Sequence, residues 1–260
     1  MTKPILVTGG TGTLGREVVR RLLAAGQDVR VLSRHSRPEA DREPYAWATG
    51  DLSTGAGLDA ALAGTGTIVH CATAQGRHKD VEATRALVDA AKRAGGPHLV
   101  YISIVGIEQV PFSYYRAKVD TERVVEDAGL PWTILRATQF HDLVTALSAA
   151  QRFLPVTLMP AGFRFQPIDA GEVAGRLVDL ATGSPAGRVP DLGGPEILTA
   201  RALAKSYLEA TGRRRVVVSL PLPGAAARAV REGALLTPGH ADGKRTYTEF
   251  LRDRFGRGKP

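Results

Sequence analysis

The stretch Ile5-Leu-Val-Thr-Gly-Gly-Thr-Gly-Thr-Leu-Gly15 constrains the fold of this 260-residue chain more than any other. Its apolar start predicts a buried parallel strand, and the residues that follow, Arg16 to Leu23, have helical periodicity. Gly9, Gly12 and Gly15 stand three residues apart, which suits a sharp turn, a backbone that approaches a phosphate, and tight packing of helix on strand. We therefore predict a strand, a glycine turn and a helix whose free N–H groups bind the pyrophosphate of a dinucleotide. The alternative is a glycine-rich turn in an α/β protein that binds no nucleotide.

Short apolar runs and helical segments continue to alternate after this first strand and helix. Strands are expected at residues 28–34, 45–49, 67–71, 98–103 and 132–136, with helices between them at 56–63, 80–94 and 113–128. Such alternation is typical of parallel sheets with helical crossovers. The predicted fold is α/β, with a Rossmann-type doubly wound parallel sheet that is complete at six strands by residue 136.

The residues after 136 follow a different sequence pattern. Helices are expected at 140–153, 169–182, 199–211 and 247–255 and after Pro223. A short strand and turn is expected at 189–194 and a strand at 215–219, while 154–165 is rich in proline, glycine and apolar residues. We find no internal repeat and no low-complexity linker. We therefore expect one NAD(P)-binding domain over residues 1–260, in which 139–260 contribute much of a small C-terminal substrate-binding lobe.

Composition limits the classes of protein that remain. With 43% hydrophobic and 23% charged residues, the chain looks like an ordinary globular protein. No apolar run reaches the 18 residues that a membrane helix needs. A strand is predicted where a signal peptide would have its apolar region. We therefore expect a cytoplasmic protein without membrane contact. The single cysteine, Cys71, excludes an internal disulfide and a cysteine-cluster metal site, and its apolar neighbours favour a buried thiol.

The net charge of +8 raises the question of nucleic-acid binding. The basic residues are spread along helices or gathered in the run Arg213–Arg215 and in the tail from residue 252 to 259, and no aromatic residues alternate with them. A single-strand binding face would require such aromatic residues, so we interpret the charge as solvated surface and expect no nucleic-acid partner. His70 is interpreted as a hydrogen-bonded core histidine, and no spacing of histidines and carboxylates predicts a metal.

The end of the second predicted strand indicates which dinucleotide is bound. An acidic residue about 20 positions after the glycines would accept hydrogen bonds from a free ribose 2′-hydroxyl, whereas an arginine suits a 2′-phosphate. This chain has Ser33 and Arg34 there, with Arg37 close behind. NADP(H) is therefore predicted in preference to NAD(H). The alternative is that Arg34 only begins a solvated loop.

A tyrosine, a lysine and a serine form the strongest chemical motif after the glycines. Tyr114 and Lys118 are four residues apart and so share one helix face, where the ammonium would lower the pKa of the phenol. Ser103 ends the fifth strand, at the carboxyl edge where open α/β sheets bind ligands. These residues predict proton transfer to a substrate oxygen. Tyr115, three residues from Lys118, remains an alternative acid.

The glycine turn, the serine at the end of strand five and the Tyr-x-x-x-Lys pair together resemble the short-chain dehydrogenase/reductase superfamily. Further segments are similar to its atypical, NmrA-like and isoflavone-reductase-like branch, and the resemblance extends from residue 4 to about 255. These segments are Gly50-Asp-Leu52, Tyr101-Ile-Ser-Ile-Val-Gly106, Gly129-Leu-Pro-Trp-Thr-Ile-Leu-Arg-Ala-Thr-Gln-Phe140 and Asp191-Leu-Gly-Gly-Pro-Glu-Ile-Leu-Thr199.

The resemblance implies a role for individual positions. Tyr114, Lys118 and Ser103 would be the proton donor, its activator and its partner, and Lys118 could also hold the nicotinamide ribose. The cofactor-binding positions fall into five groups: Gly9, Thr11, Gly12, Thr13, Leu14 and Gly15 at the pyrophosphate, Ser33 and Arg34 at the ribose phosphate, Asp51 and Leu52 at the adenine, Ala72 and Thr73 on the nicotinamide side, and Ala137, Thr138 and Phe140 closing over the cofactor.

The expected substrate is a small apolar carbonyl, quinone or enone that is reduced by hydride transfer from the nicotinamide. Phe140, His141, Met159 and Phe163 could wall its pocket, although the same residues could equally form an ordinary core. Two other functions remain open, namely a redox sensor or regulator that binds NADP without turnover, and a sugar-nucleotide epimerase or dehydratase. The protein is expected to be a monomer or a homodimer.

Overall fold

The computed structural model describes residues 3–73 and 79–256, which form two compact units. Of the described residues, the first unit comprises 3–73, 79–103, 113–135 and 173–189, and the second comprises 104–112, 136–172 and 190–256. No helix in the described ranges is both long and apolar enough to cross a bilayer.

Strands and helices alternate through the first half of the chain, except that the second and third strands follow each other without a helix between them. In chain order, the strands are β1 (Ile5–Thr8), β2 (Val29–Ser33), β3 (Ala46–Thr49), β4 (Thr67–His70), β5 (His98–Ile104), β6 (Trp132–Ala137), β7 (Val156–Pro160), β8 (Arg164–Phe165), β9 (Gly187–Arg188), β10 (Leu198–Thr199) and β11 (Val216–Leu220). The helices are α1 (Thr13–Ala24), α2 (Leu58–Leu62), α3 (Lys79–Arg93), α4 (Ser113–Glu126), α5 (His141–Ala149), α6 (Ala170–Thr182), α7 (Ala200–Ala210), α8 (Ala225–Glu232) and α9 (Tyr247–Phe255), with a short 3-10 helix at Pro238–His240.

The central sheet is parallel, with the strand order β3-β2-β1-β4-β5-β6-β9. β1 pairs with β2 on one side and with β4 on the other, so the order of strands reverses between β1 and β4. This confirms the predicted Rossmann-type doubly wound sheet. The prediction that the sheet is complete at six strands by residue 136 is wrong, because the later strand β9 pairs with β6 in parallel and adds a seventh. In such sheets, ligands bind outside the carboxyl ends of the strands at the point of reversal, which here lies next to the glycine turn.

Aliphatic side chains explain why these strands and helices assemble. Leu6, Ile68 and Leu99 of the sheet have no exposed surface, and they pack in one cluster with Leu62 of α2 and Leu87 of α3. Burying each such side chain contributes about 1.5–3 kcal/mol to folding. The core therefore holds β1, β4 and β5 in fixed positions beneath the glycine turn.

The second unit contains two small sheets and a separate apolar core. β7 pairs with β11 in parallel, from Val156 beside Val216 to Pro160 beside Leu220, and β8 pairs with β10 antiparallel. The sequence pattern did not predict β7, because its partner lies about 60 residues later. The helix predicted at 140–153 is shorter than expected: α5 ends at Ala149, and the chain then turns toward β7.

Candidate functional site

The glycine turn joins β1 to α1 and leaves no room for side chains at two of its positions. Gly9 has a φ of +67°, and a Cβ there would lie 2.7 Å from the backbone nitrogen of Ala72. A Cβ at Gly15 would lie 2.1 Å from the carbonyl oxygen of Gly9. Gly9 therefore lets the end of β1 approach the loop after β4, and Gly15 lets α1 pack against the turn.

The N-terminus of α1 is arranged for an anion. Gly12 is its N-cap residue, no side chain caps the helix, and no acidic residue lies in the first turn. The Gly12 N–H donates to the carbonyl oxygen of Gly9 at 2.9 Å, which closes the turn. Because the first N–H groups of a helix need partners and its dipole favours negative charge, this end of α1 fits a phosphate group.

A cleft of about 1050 Å³ opens beside this turn, within the first unit. Nine of the residues predicted to bind the cofactor line it: Gly9, Thr11, Gly12, Ser33, Arg34, Asp51, Leu52, Ala72 and Thr73. Thr13, Leu14 and Gly15 form the first turn of α1, where Leu14 and Gly15 are buried. A cleft of this size is sufficient for a dinucleotide-sized ligand.

Charged and polar groups cluster at the end of the cleft near β2 and β3. Asp51 accepts hydrogen bonds from the backbone N–H of Ser53 at 2.8 Å and from its hydroxyl at 2.7 Å. These bonds lower the pKa of Asp51, and the charge of Arg34 lowers it further. Arg34 itself is exposed, and Ser33 is half-buried. This end of the cleft therefore presents an exposed guanidinium to a ligand.

Arg37, the second arginine of this region, is held within its own loop. Its guanidinium donates to the carbonyl oxygens of Glu43 and Tyr45 and lies 4.8 Å from the centre of the Tyr45 ring. It also pairs with Asp41 at 3.3 Å, and the Tyr45 phenol donates to the same carboxylate. Arg37 therefore orders the loop after β2, and only Arg34 of the two arginines lines the cleft.

His70, at the end of β4, is buried in a continuous hydrogen-bond network. The Thr84 hydroxyl donates to the backbone carbonyl of Asp80 at 2.8 Å, so it accepts from His70 Nε2 at 3.1 Å. His70 Nδ1 then accepts from the Thr8 hydroxyl at 2.6 Å, and that hydroxyl accepts from the Ala72 N–H at 3.3 Å. The neutral imidazole thus ties β1 and α3 together beneath the cleft, in agreement with a core role.

Burial and, to a smaller extent, the charge of Lys118 together lower the pKa of His70 from an ordinary value of 6.5 to about 3. An unfolded chain binds a proton at His70 below pH 6.5, whereas the folded protein does so only near pH 3. We therefore expect His70 to lower the free energy of unfolding by up to about 1.4 kcal/mol for each pH unit below 6.5.

Histidine NMR checks this expectation directly. The His70 ring signals, assigned by their loss in His70→Gln, should stay at the positions of the neutral form from about pH 8 to pH 4.5. A midpoint near the ordinary histidine value would contradict the proposed network.

Cys71, the residue after His70, also lines the cleft. Burial raises the pKa of its thiol to about 12, so the group stays protonated at neutral pH and is a poor nucleophile. Within residues 3–73 and 79–256, no group of three or more histidine, cysteine or acidic side chains is placed to hold a metal ion.

Ser103 lies at the end of β5 and is 3% exposed. Its hydroxyl has no hydrogen-bond partner in the described structure. Because an unpaired buried hydroxyl costs free energy, such a group is a natural site for a ligand atom. Tyr114 and Tyr115 begin α4, are half-buried, and have ring centres 5.8 Å apart.

Lys118 contacts a residue that the sequence did not point to. Its ammonium donates to the phenol oxygen of Tyr101 at 3.0 Å, across from α4 to β5, and it is 5% exposed. The sequence pattern paired Lys118 with Tyr114 along the helix. Lys118 meets Tyr101 only because α4 packs on the sheet in this way. The spacing of residues along the chain could therefore not predict this contact.

The remaining predicted residues lie in the second unit. Ala137 is buried, the Thr138 hydroxyl donates to the Gln166 carbonyl, and Phe140 is the N-cap residue of α5. His141 has no exposed surface, its Nε2 donates to the carbonyl oxygen of Arg245 at 3.0 Å, and burial lowers its pKa.

Two further predicted substrate residues are part of the apolar core of the second unit. Met159 belongs to this core, and Phe163 packs against it. The sequence left open whether these residues line a substrate pocket or form an ordinary core. Their packing within the second unit is that of core residues.

The cleft is also lined by residues that the sequence did not predict as cofactor-binding. Besides His70 and Cys71, they are Leu32, His35, Gly50, Ser53, Lys79, Asp80, Glu82 and Ala83. Ser53 directly follows the Gly50-Asp-Leu52 segment, which is a local signal that could have identified it. Lys79, Asp80, Glu82 and Ala83 belong to the first turns of α3, and their pattern is that of any amphipathic helix, so only the packing of α3 brings them to the cleft.

Comparison with known proteins agrees with this geometry. A model of a family described as NAD(P)H-binding matches residues 9–155. Over 149 residues the chain is 36% identical to the photosystem II assembly factor Ycf39 of Cyanophora paradoxa, an alignment that covers 52% of this chain and 45% of that protein. Over 144 residues it is 39% identical to the (4-alkanoyl-5-oxo-2,5-dihydrofuran-3-yl)methyl phosphate reductase of Streptomyces griseus subsp. griseus, covering 52% of this chain and 48% of that protein. These alignments span less than half the length of either curated relative.

A solved structure resembles nearly the whole chain. The crystal structure of an NADPH-dependent quinone oxidoreductase from Escherichia coli in complex with NADPH superposes with a TM-score of 0.81 at 19% identity. The superposition covers 96% of this chain and 99% of that chain. At this level of identity, the similarity is one of fold.

Proposed function

Because the chain belongs to the NAD(P)H-binding family, we propose that it is an NADP(H)-dependent oxidoreductase that reduces a small apolar carbonyl, quinone or enone. Family membership agrees with the resemblance of the sequence to atypical short-chain dehydrogenases/reductases. The observation that carries the proposal is the cleft beside the uncapped N-terminus of α1, at the point where the strand order reverses.

The residues present fit a dinucleotide along this cleft. The glycine turn and the N-terminus of α1 would hold the diphosphate, since Gly12 lines the cleft and exposes backbone without a Cβ. Ser33 and Arg34 would hold the adenosine ribose, with Asp51 and Leu52 beside the adenine. Ala72 and Thr73 would lie on the nicotinamide side, toward the end of β5.

Side chains of the protein would supply the proton that the substrate oxygen receives. When bound, NADPH supplies the hydride to the substrate carbon. The Tyr114 hydroxyl donates its proton to the substrate oxygen, and the Ser103 hydroxyl, which has no partner in the described structure, donates a hydrogen bond to the same oxygen. The Lys118 ammonium stabilises the phenolate that Tyr114 becomes.

The names of similar proteins support this reaction class. One curated relative is named a reductase, and the quinone oxidoreductase of similar fold was solved with NADPH. The test is to purify the protein, measure NADPH binding by calorimetry, and follow NADPH oxidation at 340 nm with quinones, aldehydes, ketones and enones. Binding with turnover of one of these classes supports the proposal, and the absence of NADPH binding by folded protein contradicts it.

The preference for NADPH over NADH is proposed from Arg34. Replacing Arg34 by alanine should weaken NADPH binding about tenfold or more and leave NADH binding nearly unchanged, because a charge-assisted bond to the 2′-phosphate is lost. Arg42→Ala is the matched control, since Arg42 is exposed on the same loop and is not among the residues that line the cleft. Equal affinities of the wild type for NADPH and NADH, measured by calorimetry, would refute the preference.

A second candidate function is a regulator that binds NADP without turnover. Two observations favour it. The Lys118 ammonium donates a hydrogen bond to Tyr101, and a curated relative is named an assembly factor. Tight NADPH binding without oxidation by any compound of the panel would support this candidate over the reductase.

A further inference from the structure

The ammonium of Lys118 is buried, which requires compensation for lost hydration. One side chain supplies part of it. The Tyr101 phenol oxygen accepts a hydrogen bond from Nζ at 3.0 Å. This hydrogen bond favours a charged amine at this position. Tyr101 thus fixes the ammonium from the side of the sheet.

Tyr101 itself is suited to hold a proton rather than exchange it. It is 1% exposed, and burial raises the pKa of its phenol well above the ordinary value of 10. The negative charges of Asp80 and Glu122, which are both buried, raise this pKa further. Tyr101 is therefore a neutral phenol near neutral pH and a weak proton donor.

The ammonium that Tyr101 fixes acts on the wall of the cleft. The charge of Lys118 lowers the pKa values of both His70 and Cys71, and these two residues line the cleft. The Tyr101 ring also stacks on the imidazole of His70, with ring centres 5.4 Å apart. A chain of contacts thus runs from the cleft wall through His70 and Tyr101 to Lys118.

We propose that Tyr101 is a positioning residue that holds the Lys118 ammonium toward the nicotinamide half of the cofactor. An ammonium has three N–H donors, and the phenol accepts one of them, so two donors remain for a ligand. The proposal rests on the proposed function, because it assumes that a dinucleotide occupies the cleft. It adds a residue that does not touch the ligand and acts through Lys118.

The proposed role of Tyr101 is tested by comparing how tightly the protein binds NADPH and how tightly it binds the adenosine half of NADPH alone. Calorimetry would measure the binding of NADPH and of adenosine 2′,5′-bisphosphate to the wild type and to Tyr101→Phe, which loses one oxygen atom and keeps the ring against His70. We expect NADPH to bind about tenfold more weakly to Tyr101→Phe, because a hydrogen bond to a charged group is lost. The bisphosphate should bind within about twofold of the wild type, since it lacks the nicotinamide ribose.

Control variants separate positioning from a general loss of structure. Tyr247→Phe removes another buried phenol, one that lies 3.2 Å from the Thr145 hydroxyl in the second unit, and should leave both affinities unchanged. In a Lys118→Met background, Tyr101→Phe should have no further effect on NADPH affinity. Equal NADPH affinity in Tyr101→Phe and the wild type would overturn the proposal, as would equal weakening of both ligands.

Lysine side-chain NMR keeps this inference separate from the proposed function. A buried, hydrogen-bonded ammonium exchanges its protons slowly, so Lys118 should give a ¹⁵N signal that disappears in Lys118→Met and is lost or broadened in Tyr101→Phe. If the wild type binds no NADPH, the proposed function fails, and an unchanged lysine signal in Tyr101→Phe would show that Tyr101 does not fix the ammonium either.

Discussion

Replacing Gly12 by alanine is expected to weaken NADPH binding by about 100-fold or more while the protein stays folded. Gly12 has a φ of −81°, which alanine adopts without strain, and a Cβ there would lie 3.3 Å from the Gly9 carbonyl oxygen, a contact that small shifts can relieve. The new methyl group would instead occupy the cleft where backbone must approach the diphosphate. A loss of about 2.7 kcal/mol of binding free energy corresponds to this 100-fold change.

Two other glycines provide the comparison for Gly12→Ala. At Gly15 a Cβ would meet the backbone of Gly9 at 2.1 Å, so Gly15→Ala should lower the melting temperature severely or prevent folding. At Gly239 nothing lies within 4 Å of the added Cβ, so Gly239→Ala should change neither stability nor binding. Thermal unfolding and calorimetry on the three variants measure both quantities. Wild-type NADPH affinity in Gly12→Ala would show that the diphosphate does not lie against the turn.

Replacing Tyr114 by phenylalanine is expected to lower kcat by about 100-fold to 10,000-fold, the usual contribution of a general acid. NADPH affinity should change less than about twofold, because the phenol is proposed to touch the substrate oxygen rather than the cofactor. The measurement is NADPH oxidation with whichever carbonyl, quinone or enone the wild type reduces, together with calorimetry on both proteins. Full activity of Tyr114→Phe would rule out Tyr114 as the acid.

Tyr115→Phe is the matched control for this experiment. The two phenols are adjacent at the start of α4, and burial raises the pKa of Tyr115, which makes Tyr115 a weaker proton donor than an ordinary phenol. We expect Tyr115→Phe to retain most of the activity. If Tyr115→Phe is inactive and Tyr114→Phe is active, the two roles are exchanged.

Much of the cleft was predictable because its residues lie in short segments with local signals. The glycine turn follows directly from the spacing of Gly9, Gly12 and Gly15, and Arg34 follows from its place at the end of β2. The neighbouring Arg37 has the same chemistry and a similar position, yet it is held by Asp41 and Glu43 in its own loop. Spacing alone could not distinguish these two arginines.

The order of strands and helices in the first half of the chain, the parallel sheet and the glycine turn were determined by the sequence alone. They depend on hydrophobic periodicity and on backbone sterics, which act over a few residues. Only the tertiary structure decided that Lys118 bonds to Tyr101, that His70 bonds to Thr8 and Thr84, and that β7 pairs with β11. These partners lie 14 to 62 residues apart along the chain, and which side chains meet at such separations depends on how whole helices and strands pack.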